Sequence, residues 1–179
     1  MAEQGIQQGT AVELLVGLLG EGEARVGCAL GEEVQSYLVF ALLRHLRDPQ
    51  LLGRVLALEW LHAHEQVGSH RVDVLRDVGD RCLLIAGLFP DQARRRRVDA
   101  GYFIALGRSA YGSVAECVGV TTPAYAALFA RLVESYRTMV HVLAALDRVP
   151  SPALVGGTMA GAAAPIPAPI PAPGRSRLH

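Results

Sequence analysis

The densest group of residues that could bind a metal ion lies between residues 59 and 70. It reads Glu59-Trp-Leu-His62-Ala-His64-Glu65, with His70 close behind. On a helix Glu59 and His62 share a face, as in the Glu-x-x-His motif of carboxylate-bridged di-iron bundles. The sequence has no second copy of that motif and no His-Glu-x-x-His order of a zinc protease. The pattern favours a polar helix end; Glu59, His62 and His64 are metal ligands only in an alternative interpretation, and we expect no cofactor.

A second candidate site is a helix that carries small residues beside larger polar ones. Tyr102, Arg108 and Tyr111 project from it, and they could line a small ligand pocket. Glycine costs about 1 kcal/mol relative to alanine inside a helix, so several glycines indicate close approach by another helix or by a ligand. Tight helix packing is the favoured interpretation. The small residues are Gly101, Ala105, Gly107, Ser109 and Gly112.

The chain has one run of charge, Arg94-Arg95-Arg96-Arg97. Such a run could bind phosphate, nucleic acid or an acidic protein. The formal net charge is zero and no DNA-reading motif accompanies the run, which argues against nucleic acid. A solvated turn is the simplest interpretation, and a partner surface is the best functional one.

No catalytic nucleophile stands out in the sequence. There is no Gly-x-Ser-x-Gly motif, no glycine-rich phosphate loop and no lysine, which excludes a Schiff-base mechanism. Cys82 and Cys117 fall on predicted buried faces, where a thiolate is disfavoured. His45 and His141 border apolar stripes, which favours hydrogen-bonded core or boundary histidines over a metal site formed with the residue 62–70 histidines.

Apolar residues recur with helical spacing along most of the chain, and no segment alternates as a strand does. We predict an all-α, compact bundle of six helices, with a seventh if residues 91–97 form a short one. Thr10-x-x-Glu13 predicts a capping box at the start of the first helix, and Gly20 and Gly22 predict its end. Asp48-Pro49, Asp99 and Thr122-Pro123 predict the starts of later helices. The pairs Arg76–Asp80 and Asp77–Arg81 are expected on a solvated helix face.

The last thirty residues differ in composition from the rest. Residues 150–179 are rich in proline, alanine and glycine, and a Pro-Ala-Pro-Ile repeat favours polyproline II. The sequence therefore predicts a helical bundle domain at residues 10–149 and a disordered tail at residues 150–179.

The bulk composition limits the function only broadly. Hydrophobic residues make up 51% and charged residues 19% of a 179-residue chain, which is typical of a globular domain. The chain has three widely spaced cysteines, no signal peptide and no apolar run long enough to span a membrane, so we expect a cytoplasmic protein. We expect a non-enzymatic interaction or regulatory protein with a protein partner or a homo-oligomeric state. The alternative is an enzyme or small-ligand binder that uses the bundle centre.

Overall fold

The computed structural model describes residues 2–95 and 97–146, with side chains from residue 10 onward. Over these residues the chain forms seven α-helices and no β-strand, which confirms the all-α prediction. No helix among them is long and apolar enough to cross a membrane. The predicted tail at residues 150–179 lies outside the described residues. The helices are α1 (Ala2–Val26), α2 (Glu32–His45), α3 (Leu56–Glu65), α4 (Gly68–Leu88), α5 (Pro90–Arg95), α6 (Ala100–Val118) and α7 (Pro123–Leu146).

Helix α4 lies at the centre of the bundle. It packs against α2, α3, α5, α6 and α7, while α1 packs against α2 and α7. Every residue from Val78 to Gly87 is buried. A helix that is covered on all sides needs apolar or paired side chains all round, and the Cys82–Phe89 segment supplies the apolar ones.

Glycines allow α4, α6 and α7 to approach one another closely. A Cβ added at Gly79 would overlap the Tyr111 ring, and one at Gly87 would lie 2.5 Å from Cβ of Leu143. A Cβ at Gly107 would overlap the Tyr136 hydroxyl group. The prediction of tight packing at the small residues of α6 is therefore confirmed at Gly107.

The prediction for the ends of α1 was wrong. The helix begins at Ala2 and continues through Thr10, Gly20 and Gly22 to Val26. Gly22 is buried, and a Cβ there would lie 3.0 Å from Cγ1 of Val142. Gly22 therefore allows α7 to pack closely and does not end the helix. Local sequence patterns do not distinguish a glycine at a helix contact from a glycine that ends a helix.

The prediction that Asp48-Pro49 begins a helix was also wrong. Residues 49–54 form turns, and α3 begins only at Leu56. The Asp48 carboxylate accepts a 2.8 Å hydrogen bond from the Gln50 N–H group, which is a local Asx turn. Its second partner is Arg81, far away in the sequence. That long-range pair favours the turn over a longer α3.

The starts of α6 and α7 agree with the sequence signals, whereas the short helix expected at residues 91–97 spans Pro90–Arg95. Helix α5 begins at Pro90, and α7 begins at Pro123 directly after Thr122. Asp99 is the N-cap residue of α6 with extended backbone geometry, although its side chain makes no capping hydrogen bond. Proline at a first helical position is favoured because its missing N–H group needs no partner there.

Candidate functional site

A buried carboxylate lies in the middle of the bundle. Asp80 on α4 has no exposed surface. Its Oδ1 accepts hydrogen bonds of 2.6 Å from the Tyr37 hydroxyl and 2.7 Å from the Tyr111 hydroxyl. Its Oδ2 lies 3.2 Å from Nε2 of His45, which is 2% exposed. We call Asp80, Tyr37, His45 and Tyr111 the Asp80 cluster.

The spacing of residues on three helices brings this cluster together. Tyr37 and His45 stand eight residues apart on α2, just over two helical turns, and so project from one face. Tyr111 comes from α6, and its ring fits over Gly79, the residue before Asp80. A histidine nitrogen that bonds a carboxylate must carry the proton, so Nε2 of His45 donates. The prediction of a hydrogen-bonded core histidine is confirmed for His45, whereas His141 is exposed.

The phenols of the cluster are held in their neutral form. Burial raises the pKa of Tyr37, and the negative charge of Asp80 raises it further. The same two causes, in the same order, raise the pKa of Tyr111 well above its ordinary value. Tyr136 is also buried with a raised pKa, and its hydroxyl donates a 2.9 Å bond to the carbonyl oxygen of Gly79. These tyrosines therefore act as permanent hydrogen-bond donors.

Aromatic rings enclose the cluster. Tyr111 makes edge-to-face contacts with Tyr37, Phe129 and Tyr136, at centroid distances of 5.8, 5.2 and 5.4 Å. Tyr37 also meets Phe129 edge-on at 5.5 Å. Such pairs add roughly 0.5–1.5 kcal/mol each beyond the area they bury. The centre of the bundle is thus occupied by side chains.

Next to the cluster, Arg81 ties α4 to the loop before α3. The side chain is buried; its Nε donates to Asp77 at 2.6 Å and its Nη2 to Asp48 at 2.6 Å. Burial alone would lower the pKa of Arg81, but the hydrogen bonds and charges of Asp77 and Asp48 outweigh it and the pKa is raised. The prediction of a solvated face for Asp80 and Arg81 was wrong. Both face the interior because α2 and the loop cover this side of α4.

A carboxylate, a histidine and two phenols are the groups of general acid–base catalysis. Catalysis would require a substrate within hydrogen-bonding reach, yet Asp80 and His45 are 0% and 2% exposed. Each polar atom of the Asp80 carboxylate already has a protein partner. The arrangement fixes the positions of α2, α4 and α6, and accessible sites must be sought on the surface.

The predicted metal ligands lie on the surface of α3. Glu59 forms an ion pair with Arg54, with 2.7 Å between its Oε1 and the arginine Nε. His62 is exposed, and Nδ1 of His64 bonds the carbonyl oxygen of Trp60 at 2.8 Å. Among the residues that the structure describes, no group of three or more His, Cys, Asp and Glu side chains is arranged to hold a metal ion.

The structure does not bring Tyr102, Arg108 and Tyr111 together. Tyr111 belongs to the buried cluster, and Arg108 is exposed with its Nε bonded to the Val133 carbonyl oxygen at 3.3 Å. Tyr102 is 45% exposed and lines a surface cleft near the start of α6. Tyr111 is therefore enclosed in the bundle while Tyr102 and Arg108 are exposed, and the three do not line one pocket.

That surface cleft contains part of the predicted arginine surface. Its volume is about 490 Å³, and Arg97 lies at its edge with Tyr102. Arg94 and Arg95 are exposed on the adjoining α5, where Arg94 pairs with Asp91 at 3.2 Å; Arg96 lies outside the described residues. We call this the basic cleft. It is lined by Arg54, Val55, Leu56, Ala57, Arg97, Val98, Asp99, Tyr102 and Phe103.

A second cleft, of about 730 Å³, opens where the start of α4 meets the end of α6 and the start of α7. Cys117 lies in it and is exposed, so the prediction of a buried Cys117 was wrong. The buried face of α6 includes Gly107, Tyr111 and Val118 and leaves Cys117 exposed. We call this the α4–α6 cleft. It is lined by residues 66–69 and 71–73, and by Cys117, Val118, Thr121, Thr122 and Tyr125.

Sequence reasoning missed the Asp80 cluster and the α4–α6 cleft. One signal could have found the first. Residues Cys82–Phe89 are apolar on every side of the helix, which indicates that other helices surround this part of α4. The polar residues Asp80 and Arg81 directly precede that segment and should therefore also be covered. No comparable signal points to the cleft, which depends on three helix ends meeting. Comparisons with protein families, curated proteins and solved structures found no match to this chain.

Proposed function

We propose that the chain is a non-enzymatic interaction protein whose basic cleft binds an amphipathic acidic helix, and that this helix is α1 of a second copy. The observation that carries the proposal is the chemistry of the cleft. It combines an apolar floor with Arg97, an arginine that has no ion pair among the described residues. A catalytic role for the bundle centre has less support, because both carboxylate oxygens of Asp80 already have hydrogen-bond partners and the cluster is buried.

The floor of the basic cleft is apolar and partly exposed. Val55 is 61% exposed and Tyr102 is 45% exposed, with Phe103 buried between them and the core. Burying such surface contributes roughly 25 cal/mol per Å² of apolar area. An occupant with its own apolar side chains is therefore favoured over a purely polar one.

The edge of the basic cleft is positively charged. Arg97 is exposed and forms no ion pair with the described residues, and Arg94 and Arg95 are exposed nearby. The segment 90–99 holds four arginines against two aspartates, which gives it a net charge of +2. A carboxylate is the side chain that complements this edge.

Helix α1 has the complementary chemistry. Its exposed side chains include Val12, Leu14 and Val16, which are 38%, 43% and 42% exposed, together with the carboxylate of Glu13. Glu21 on the same helix is exposed too. A second copy of the chain therefore offers both components that the cleft requires.

The interaction should be weak and sensitive to salt. Exposed ion pairs contribute roughly 0.2–1 kcal/mol each, and salt screens them over about 8–10 Å at physiological ionic strength. Apolar contacts between α1 and the cleft floor would supply most of the affinity. We also propose a cytoplasmic location, supported by three free cysteines.

Sedimentation velocity at low and moderate salt tests the proposal. We expect wild-type protein to show a mass that rises with concentration, more strongly at low salt. Changing Arg94 through Arg97 to serine should abolish this rise, while Arg137→Ser, at an exposed arginine of α7, should not. A constant monomer mass in every sample, or equal association by the serine variant, would overturn the second-copy proposal.

A charge-reversal mixture identifies the two surfaces. One variant carries Arg94, Arg95 and Arg97 changed to Glu, and the other carries Glu13 and Glu21 changed to Arg. Each variant alone should remain monomeric, because its cleft and its α1 then carry charges of the same sign. A mixture should associate, because the acidic cleft of the first variant can bind the basic α1 of the second. If the full chain is monomeric but a labelled peptide of residues 10–26 binds the wild type and not the serine variant, the cleft accepts an acidic helix that α1 of a folded second copy does not supply.

A further inference from the structure

The α4–α6 cleft has the size and lining of a small-molecule site, independently of the proposed function. Its volume of about 730 Å³ lies within the 300–1,000 Å³ range typical of ligand pockets. Its walls come from α4, α6, α7 and the loop between α6 and α7. Sites where several elements converge bury more of a small ligand than a single helix face can.

Arg71 supplies a charged donor whose Nε has no acceptor among the described residues. It is half-buried in the wall of this cleft, and its Nε is shielded from solvent with no hydrogen-bond partner among the described residues. No described carboxylate forms an ion pair with it, in contrast to Arg81 on the same helix. A shielded donor left without an acceptor is unfavourable, more so when it is charged. An acceptor from a ligand would satisfy it.

Arg76, five residues further along α4, does not line the cleft but contacts its wall. Its Nε is likewise shielded and without a partner among the described residues. Its Nη1 lies 3.4 Å from the hydroxyl of Tyr125, a residue of the cleft wall. Asp73 is the one acidic side chain among the described residues of the wall, and it pairs with Arg76 at 3.2 Å. Asp73 therefore offsets the charge of Arg76 and leaves that of Arg71 unbalanced.

Hydroxyl groups and apolar groups complete the lining. Ser69, Thr122 and Tyr125 supply hydroxyls, while Val72 and Val118 supply an apolar surface. A guanidinium group binds carboxylate and phosphate oxygens in the same paired geometry. Hydroxyls can donate to the remaining oxygens of such a group.

We propose that the α4–α6 cleft binds a small organic oxyanion, a carboxylate or phosphate monoester with a short apolar part, with Arg71 bonding its oxygens. The apolar part lies against Val72 and Val118. Arg71 can bind the oxygens of a carboxylate or of a phosphate. The experiment distinguishes the two by comparing benzoate with phenyl phosphate.

Two-dimensional nitrogen–proton NMR of the arginine Nε–H groups tests this directly in full-length protein. The probes are phenyl phosphate, benzoate and inorganic phosphate, with benzyl alcohol as the neutral control. We expect the Arg71 signal to move and saturate with at least one oxyanion and not with benzyl alcohol. Arg71→Gln should weaken that binding about tenfold or more, because it removes charged hydrogen bonds, and Arg137→Gln should leave it unchanged.

Each arm has a defined meaning. Saturation by phenyl phosphate alone assigns the site to phosphate esters, and saturation by benzoate alone assigns it to carboxylates. If no oxyanion moves the Arg71 signal at millimolar concentration, the proposal is wrong. It is also wrong if Arg71→Gln, shown to be folded by its amide spectrum, binds as tightly as wild type. If that variant fails to fold, the titration of the Arg71 signal in the wild-type protein still tests the proposal.

Discussion

The hydroxyl of Tyr111 on α6 donates a 2.7 Å hydrogen bond to Oδ1 of Asp80 on α4, at a point where neither residue has exposed surface. This contact joins two residues that are 31 positions apart in the sequence. It can form only because Gly79 leaves room for the Tyr111 ring. The bond and the glycine together fix how α6 lies on α4.

We expect Asp80→Asn to destabilise the fold by about 2–4 kcal/mol. The substitution keeps the shape but replaces an acceptor oxygen by an amide, and it removes the charge that three donors now share. The measurement is the urea midpoint at constant m-value. Asp73→Asn, at a 58% exposed residue of the same helix, is the control and should change stability by less than about 0.5 kcal/mol. Equal effects of the two variants would contradict a central role for Asp80.

Two glycines of α6 should respond to alanine with opposite signs. Gly107→Ala places a methyl group where the Tyr136 hydroxyl lies, so we expect a loss of about 2 kcal/mol or more. Gly112→Ala meets no atom within 4 Å and should stabilise the helix by about 0.5–1 kcal/mol. Thermal and urea unfolding of both variants measure this. Stabilisation by Gly107→Ala would refute the close approach of α6 and α7.

Asp48 should contribute to acid unfolding. The Gln50 N–H bond, and after it the Arg81 guanidinium, lowers the pKa of Asp48 in the folded state. A carboxylate whose pKa is lower in the folded than in the unfolded state stabilises the fold when the pH is above its unfolded-state pKa. This stabilisation is lost as the pH falls through the folded-state pKa. Urea midpoints of wild type and Asp48→Asn should therefore converge between about pH 4 and pH 2, near and below the ordinary aspartate pKa. A constant difference over that range would exclude this linkage.

The three cysteines should react with a thiol reagent at very different rates. Cys117 is exposed, whereas Cys82 is buried and its pKa is raised by burial and, less, by the charge of Glu59. Iodoacetamide should label Cys117 first, and Cys28, which is partly covered, more slowly. Cys82 should react only on unfolding in urea. Mass spectrometry of digested protein gives the order, and rapid labelling of native Cys82 would contradict its burial.

The sequence by itself determined the all-α class and the starts of α6 and α7. Spacing of apolar residues, Pro123 at a first helical position and Asp99 before α6 are local features, and helix formation follows local rules. An all-α bundle of six or seven helices could therefore be predicted without any knowledge of which helix contacts which.

Only the tertiary structure decided which face of each helix is covered. Asp80 and Arg81 look like members of solvated charge pairs, yet α2, α6 and the loop at Asp48 bury them by supplying long-range partners. Gly22 looks like a helix stop, yet Val142 of α7 packs against it. Cys117 continues an apolar stripe, yet it lies in an open cleft where residues of α4, α6 and α7 meet. Burial depends on neighbours brought together by folding, and the spacing of residues along one helix does not specify them.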